Sequence, residues 1–264
     1  DNRIGTDSES FISLNKFNPS LGISYSINNS NNIYFSTGTS FETPTLNELS
    51  NNPSGNGLNK SLNPSSSVNY EIGWRKTTSN LILDAIVYFI NTDNEILPYE
   101  LEQFPGKNFY RNVGSTRRYG IELSSQLLFS NGKLNLSYTN AKNTFNDFIL
   151  GGNDLSGLSL PGIPNQILDV ELILNLSKRS TLLINNRLIG ELFADNLNET
   201  EVSSYNLLNV TYSKQIFNNS EIYLGVNNLF DVNYFDNIRI NAFGKRYYEP
   251  APKRNVHLGL NFSF

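Results

Sequence analysis

The chain has 264 residues, with no cysteine, no methionine, one histidine, one tryptophan and a net charge of −4. The lack of cysteine excludes a disulfide framework and a thiolate metal site, and the acidic balance, with a pI near 5.1, gives a nucleic-acid partner no electrostatic support. No run of roughly 18 apolar residues occurs, so no transmembrane helix is expected. The mean hydropathy of −0.34 leaves a membrane β-barrel open, because a barrel spreads its apolar residues over every second position. The chain starts at Asp1 without a signal peptide or an initiator methionine, so it is expected to be a processed or truncated piece.

Helical periodicity is scarce and alternation of apolar with polar residues is widespread. In chain order it predicts strands at 20–27, 33–40, 67–77, 81–91, 117–129, 133–143, 166–177, 181–193, 204–214, 221–229 and 254–264. In the third, Val68, Tyr70, Ile72 and Trp74 oppose Asn69, Glu71, Gly73 and Arg75. In the fifth, Tyr119, Ile121, Leu123 and Ser125 oppose Gly120, Glu122 and Ser124. Segments 81–91 and 181–189 alternate poorly, and the pattern does not define their facing. A tilted strand needs roughly 9–11 residues to cross a bilayer core, and the segments match that length.

The connections alternate between short and long. Residues 28–32, 78–80, 130–132, 177–180 and 218–220 are short and polar, whereas 41–66, 92–116, 144–165, 194–203 and 230–253 are long. Outer-membrane barrels pair short periplasmic turns with long extracellular loops; a soluble sandwich has no reason to gather every long loop at one end. An odd strand count cannot close an up-and-down barrel with both termini on one side, and an open sheet leaves two edges unpaired. The expected fold is all-β: an antiparallel up-and-down transmembrane β-barrel, here a partial barrel of eleven strands in one domain, residues 1–264. With Phe264 in the periplasm, residues 1–19 belong to an extracellular loop whose preceding strand is absent.

The last strand alternates most strictly. Val256, Leu258, Leu260, Phe262 and Phe264 fall on one face, and Asn255, His257, Gly259, Asn261 and Ser263 on the other. The stretch from His257 through Gly259 and Phe262 to Phe264 resembles the C-terminal signal by which outer-membrane β-barrels are recognised for insertion. Ser40 to Leu49, with Phe41 and Pro44, followed by Leu62-Asn63-Pro64 and Asn69 to Gly73, resembles the mid-barrel motif of TonB-dependent outer-membrane receptors. Asn227-Asn228-Leu229-Phe230-Asp231-Val232-Asn233-Tyr234 is similar to the final-hairpin motif of that family, and Gly244 to Asn255, with Pro250 and Pro252, continues it into the last strand.

The resemblance implies a barrel of about 22 strands with a plugged lumen in the outer membrane of a Gram-negative bacterium. It implies a small ligand, such as an iron–siderophore or similar metal complex, captured at the cell surface and imported with energy relayed by TonB. The expected partners are outer-membrane lipid, the barrel-assembly machinery and the TonB complex, the last through an N-terminal plug region that this chain lacks. Without that plug the fragment is not expected to carry gated transport by itself. Haem receptors of the family place a histidine between the mid-barrel motifs; none lies between Phe41 and Pro64, so haem uptake is not supported. No cofactor is expected.

Candidate ligand residues lie in the long loops: Tyr99, Phe104, Tyr110, Arg111, Tyr234, Arg239, Phe243, Lys245, Arg246 and Tyr247. Arginine binds carboxylate, catecholate or phosphate groups with two parallel hydrogen bonds, and aromatic rings stack on planar ligands. Set against this, the cations, with Arg117 and Arg118, can bridge loops or meet anionic lipid head groups, and aromatics near strand ends can form an interfacial girdle. The prolines suit loop shaping, since proline cannot donate to a ladder. Asp93, Glu95, Asp147, Asp154, Asp195 and Asp236 lack the spacing of a dedicated calcium loop. His257, alone, makes a poor transition-metal site and is expected near the periplasmic end of its strand, far from the loops. The second function considered is an outer-membrane barrel enzyme, a protease or lipase; it would need His257 as its base.

Overall fold

A computed structural model describes residues 15–55 and 57–262. Eleven long strands form one antiparallel sheet: β1 Ser20–Asn28, β2 Asn31–Glu42, β3 Ser65–Thr77, β4 Leu81–Asp93, β5 Ser115–Phe129, β6 Gly132–Asp147, β7 Gln166–Ser177, β8 Ser180–Ile189, β9 Tyr205–Phe217, β10 Ser220–Asn227 and β11 Asn255–Phe262. Each pairs with its neighbour in sequence, with no crossover. The ladder runs from β1 to β11 and does not return, so among the described residues each of these two strands keeps one unpaired edge. Every residue of β1 is exposed. Unpaired N–H and C=O groups along such edges call for partner strands, as a partial barrel requires.

All eleven predicted strands are present, with two corrections at their ends. β8 stops at Ile189 rather than 193: the Gly190 N–H still bonds in register to the Gln166 carbonyl, but Leu192–Phe193 pairs with Glu201–Val202 instead. β11 joins the ladder only at Asn255, opposite Asn227. Its third residue is therefore His257, which lies towards the loop end of the strand and not near the turn end as its place in the terminal signal suggested. Phe264 and residues 1–14 lie outside the described residues.

Residues directly opposite one another share a face of a sheet. One row of cross-strand partners therefore reads Leu81, Leu127, Leu134, Leu172, Ile184, Val210, Val226 and Val256 across β4 to β11. These side chains define an apolar face. Its members stay open: Leu258 is 68 % exposed, Val256 65 % and Ile72 61 %. Left in water, that much aliphatic surface would forfeit roughly 25 cal/mol per Å², so the face needs an apolar medium. The other face is hydrogen-bonded and charged. Gln126 Nε2 donates to Asn135 Oδ1 at 3.2 Å, and Asn135 Nδ2 donates to Glu171 Oε1 at 2.7 Å. Arg75 and Asp84 pair across β3 and β4. Glu71 and Glu122 are on this face, as the alternation predicts. The poor alternation of β4 has a simple cause: Ile82, Ile86 and Ile90 sit on the polar face, alternating there with Asp84 and Tyr88.

Aromatic rings on the polar face lie flat over cross-strand glycines. Tyr34 covers Gly73 and donates its hydroxyl hydrogen to Glu71. Tyr223 covers Gly259, and His257 covers Gly225. A Cβ at Gly259 would sit 2.1 Å from Tyr223 Cζ, and one at Gly225 would sit 2.2 Å from His257 Cε1. Two residues of the terminal signal, His257 and Gly259, thus form a reciprocal lock between β10 and β11.

Candidate functional site

The short connections lie at one end of the sheet and the five long ones at the other, which brings the loops together. Four of them carry small ladders, Leu192–Phe193 with Glu201–Val202 being the one after β8. After β4, Ile96–Leu101 pairs with Phe104–Asn112. Phe235–Ile238 pairs with Tyr248–Pro250 between β10 and β11, with a 3-10 turn at Phe243–Lys245 as its tip. Ile149–Leu150 pairs with Asn153–Asp154 after β6. After β2 the chain forms a short helix, Leu46–Ser50, whose first turn is fixed by a capping box between Thr45 and Glu48. The buried apolar clusters are here too. Phe145, Phe148, Leu155, Leu160 and Val113 form one, and Ala194, Val202, Ala242 and Tyr247 the other.

Polar side chains stitch the loops to one another. Asn112 exchanges hydrogen bonds with the Asn63 backbone, donating to its carbonyl at 2.8 Å and accepting from its N–H at 2.7 Å. Asn198 does the same with Ser159 at 2.9 and 2.7 Å. Asn241 donates to both the Pro98 carbonyl and Asn196 Oδ1, at 3.1 Å each. The strongest tie is Glu100, whose side chain is 1 % exposed. Its Oε1 accepts from Arg239 Nη2 at 2.7 Å, and its Oε2 accepts from the N–H groups of Gly106 at 3.0 Å and Phe243 at 3.2 Å. A buried carboxylate with three donors, one of them charged, holds its geometry firmly.

Glu100 therefore brings two loop tips side by side. One carries Phe104, 52 % exposed, with the Lys107 ammonium 5.9 Å above its ring and 5.1 Å above that of Phe109. The other carries Phe243, Gly244, Lys245 and Arg246, all exposed. Lys245 has a left-handed backbone, φ 58°, and Arg246 Nε donates to the Phe243 carbonyl at 3.3 Å. Two open aromatic rings and three open cations thus share one patch.

The other predicted ligand residues are placed differently. Arg239 is paired with Glu100, bridging two loops in this structure. Arg111 lies half-buried with its guanidinium 3.7 Å above the Tyr99 ring, and burial pulls its pKa down. Tyr110, opposite Pro98, is partly exposed. Tyr234 packs against Tyr205 at 5.0 Å, and Tyr247 is buried beside Tyr248. Burial raises the pKa of Tyr234 and of Tyr247. Glu100, Lys107, Asn198 and Asn241 were not singled out from sequence. Each is a lone polar residue in a loop, and nothing local marks its distant partner.

The motif residues do structural work. Asn228 is 3 % exposed with φ 50°; its Nδ2 donates to the Val232 carbonyl at 2.8 Å and its Oδ1 accepts from the Val232 N–H at 2.9 Å. Asp231 Oδ1 accepts from the Arg254 N–H at 2.9 Å, tying the exit of β10 to the approach of β11. Leu229 and Phe230 complete that turn, Pro44 is buried ahead of the short helix, and Phe41 closes β2 under Lys16. Asn228→Ala is expected to lower local stability by roughly 1–2 kcal/mol, since it removes the partner of the partly buried N–H and C=O of Val232. Faster hydrogen exchange at the Val232 amide, with unchanged exchange in β5, checks this.

Among the described residues no group of three histidine or acidic side chains is placed to hold a metal ion. Asp195 instead accepts from the N–H groups of Leu197, Glu199 and Thr200, Asp154 accepts from that of Ser156, and Glu95 is held by Arg118 and Thr116. His257 has Asn227 Nδ2 at 3.5 Å from its Nδ1, and Tyr223 beside it.

An open antiparallel sheet with one apolar face, one polar face and all its long loops at one end defines a β-barrel segment. The family described as TonB dependent receptor-like, beta-barrel matches residues 1–229, and the chain belongs to it. Solved structures share the fold. The siderophore receptor PiuA from Acinetobacter baumannii superposes with a TM-score of 0.73 at 19 % identity, over 92 % of this chain and 35 % of that one. The ferric yersiniabactin uptake receptor FyuA from Yersinia pestis gives 0.73 at 18 %, over 93 % and 37 %. The copper transporter OprC gives 0.72 at 19 %, over 93 % and 39 %. The chain thus spans well under half the length of these proteins.

Proposed function

We propose that this chain is the C-terminal part of the barrel of a TonB-dependent receptor in the outer membrane of a Gram-negative bacterium, and that the whole receptor binds and imports a scarce metal chelate, an iron–siderophore or a similar complex. The observation that carries the ligand chemistry is the patch organised by Glu100, where Phe104 and Phe243 stand beside Lys107, Lys245 and Arg246. Open rings and open cations on adjacent loop tips suit an anionic, aromatic ligand. The loops are tied together, so the patch is pre-organised and less ordering entropy is lost on binding. Arg239 anchors the patch through Glu100, and Tyr99, which carries the Arg111 guanidinium, packs on Phe109 beside Phe104, whereas Tyr110, Tyr234 and Tyr247 pack elsewhere in the loops. Membership of a receptor family, and likeness to proteins named as receptors and transporters, support transport over catalysis. TonB, acting through a plug outside this chain, would supply the energy. The barrel-assembly machinery would read the terminal signal at His257, Gly259, Phe262 and Phe264.

The test uses the full-length receptor. Lys245→Ala combined with Arg246→Ala is expected to weaken binding of an anionic ferric chelate tenfold or more, since hydrogen bonds to charged groups contribute roughly 1.5–3 kcal/mol each. Binding of a neutral ferric chelate should change little. Both positions are exposed at a tip, so the folded yield is a control and should stay normal. Unchanged affinity for the anionic chelate overturns the assignment of the patch.

A further inference from the structure

The apolar face carries an arrangement that neither the loops nor the polar wall explains. Tyr70, Phe89 and Tyr119 are direct cross-strand partners on β3, β4 and β5. They form an aromatic row near the loop end, with the Tyr70 and Phe89 rings 6.4 Å apart. The next partner in that row, on β6, is Lys142. One step further towards the loops the partners are Val68, Asn91, Arg117 and Thr144. Arg117 and Lys142 are thus diagonal neighbours on adjacent strands of the apolar face, a spacing of roughly 7–8 Å. Both side chains are exposed.

Among the described residues neither cation is paired with an acid. The Arg117 guanidinium lies 5.8 Å above the Phe89 ring, and its Nε makes a long 3.5 Å contact with Asn91 Oδ1. That leaves its terminal nitrogens free to donate. Lys142 has no ion-pair or hydrogen-bond partner among the described residues. Two acids on this face lie a further step towards the loops, Asp93 and Asp147, both opposite Ser115; neither makes an ion pair with either cation. On a barrel, aromatic rows mark the level where acyl chains give way to head groups. Arg117, one step above such a row, and Lys142, at its end, face the anionic layer of the leaflet.

We infer that Arg117 and Lys142 form a seat for the phosphate of an anionic lipid head group, with Tyr119 and Phe89 beneath it against the first acyl carbons. The phosphate sits between the two cations, the guanidinium giving two parallel N–H donors and the ammonium one. The seat rests on the lipid-facing reading of the apolar face, and it fixes one lipid at the β4–β6 side of the barrel. It is separate from the ligand patch, which is on the loop tips.

The experiment places the full-length receptor in vesicles of phosphatidylcholine, with Tyr119→Trp as a reporter in the girdle and the other tryptophans replaced by phenylalanine. Quenching by brominated phosphatidylglycerol is compared with quenching by brominated phosphatidylcholine, with and without Arg117→Gln and Lys142→Gln. A cation near the membrane surface favours an anionic lipid by about 1 kcal/mol, so the preference for phosphatidylglycerol should fall about fivefold for each cation removed. Lys214→Gln, at the turn end of the same face, should leave the preference intact, and added inorganic phosphate should not displace the lipid. Equal quenching by both lipids before any substitution, or an unchanged preference in the double variant, overturns the seat. Absence of quenching by either lipid would instead contradict the lipid-facing reading on which the seat rests.

Discussion

Glu100→Ala is expected to release two loops while leaving the sheet intact. The substitution removes the acceptor for Arg239 and for the Gly106 and Phe243 N–H groups at once. Removing one partner of a buried ion pair costs 3–5 kcal/mol in fully buried cases because a charge is left uncompensated. Arg239 is 33 % exposed, so water compensates part of that loss and roughly 2–3 kcal/mol is expected here. The effect should be confined to residues 94–114 and 228–254. Native-state hydrogen exchange on the full-length receptor should show these segments opening faster, and a protease should nick them first. Ligand affinity should fall with them, because Phe104 and Phe243 lose their common anchor. Arg239→Lys should retain the charge but lose the planar geometry and fall in between. Unaltered protection of both segments would mean that the Glu100 contacts do not hold the loops.

The second large effect is expected at Gly259. A methyl group there would lie 2.1 Å from Tyr223 Cζ, so the ring must leave the wall. Overpacking of this kind typically costs 1–3 kcal/mol. The cost falls on β11, an edge strand that depends on β10 for its pairing among the described strands. Gly259→Ala should therefore lower the fraction of heat-modifiable, folded receptor, and Gly225→Ala should do the same through the His257 ring. Tyr223→Ser should largely rescue Gly259→Ala, because it removes the atom that clashes. A double-mutant cycle measures this coupling directly. Additive effects would show that the ring and the glycine are independent. These positions lie on the wall below the loops, so receptor that does fold should bind ligand normally.

The strands were legible because a barrel wall writes its facing into every second residue. Val68 to Trp74 and Val256 to Phe262 alternate without a break, and both lie in register in the sheet. β4 was legible as a strand but not in its facing, since apolar residues occupy both sides of it, Ile82, Ile86 and Ile90 on one and Leu81, Leu83, Val87 and Phe89 on the other. The short helix at Leu46–Ser50 reads as part of a long loop, although Thr45 and Glu48 have the spacing of a capping box; five residues give no helical period to recognise. The hairpin from Ile96 to Asn112 was missed because Pro98, Pro105 and Gly106 punctuate it like a loop. Glu100 left no local signal at all. Its partner Arg239 is 139 residues away, and a single glutamate between Tyr99 and Leu101 reads as solvated surface. Arg239 was correctly placed among the loop cations, and sequence left open whether it binds ligand or bridges loops. His257 was given the right face and the wrong depth, because the register of β11 is set by Asn227 and Asn255 and not by the chain end.

The central claim is that one face of this sheet meets lipid and the other lines a lumen. Spin labels at Leu258 and at His257, adjacent residues on opposite faces of β11, test it most directly in the membrane-inserted full-length receptor. The label at position 258 should relax strongly with oxygen, which concentrates in the bilayer, and weakly with a water-soluble nickel chelate. At position 257 the order should reverse. Equal accessibility at the two positions, or a nickel-accessible label at 258, would contradict the account.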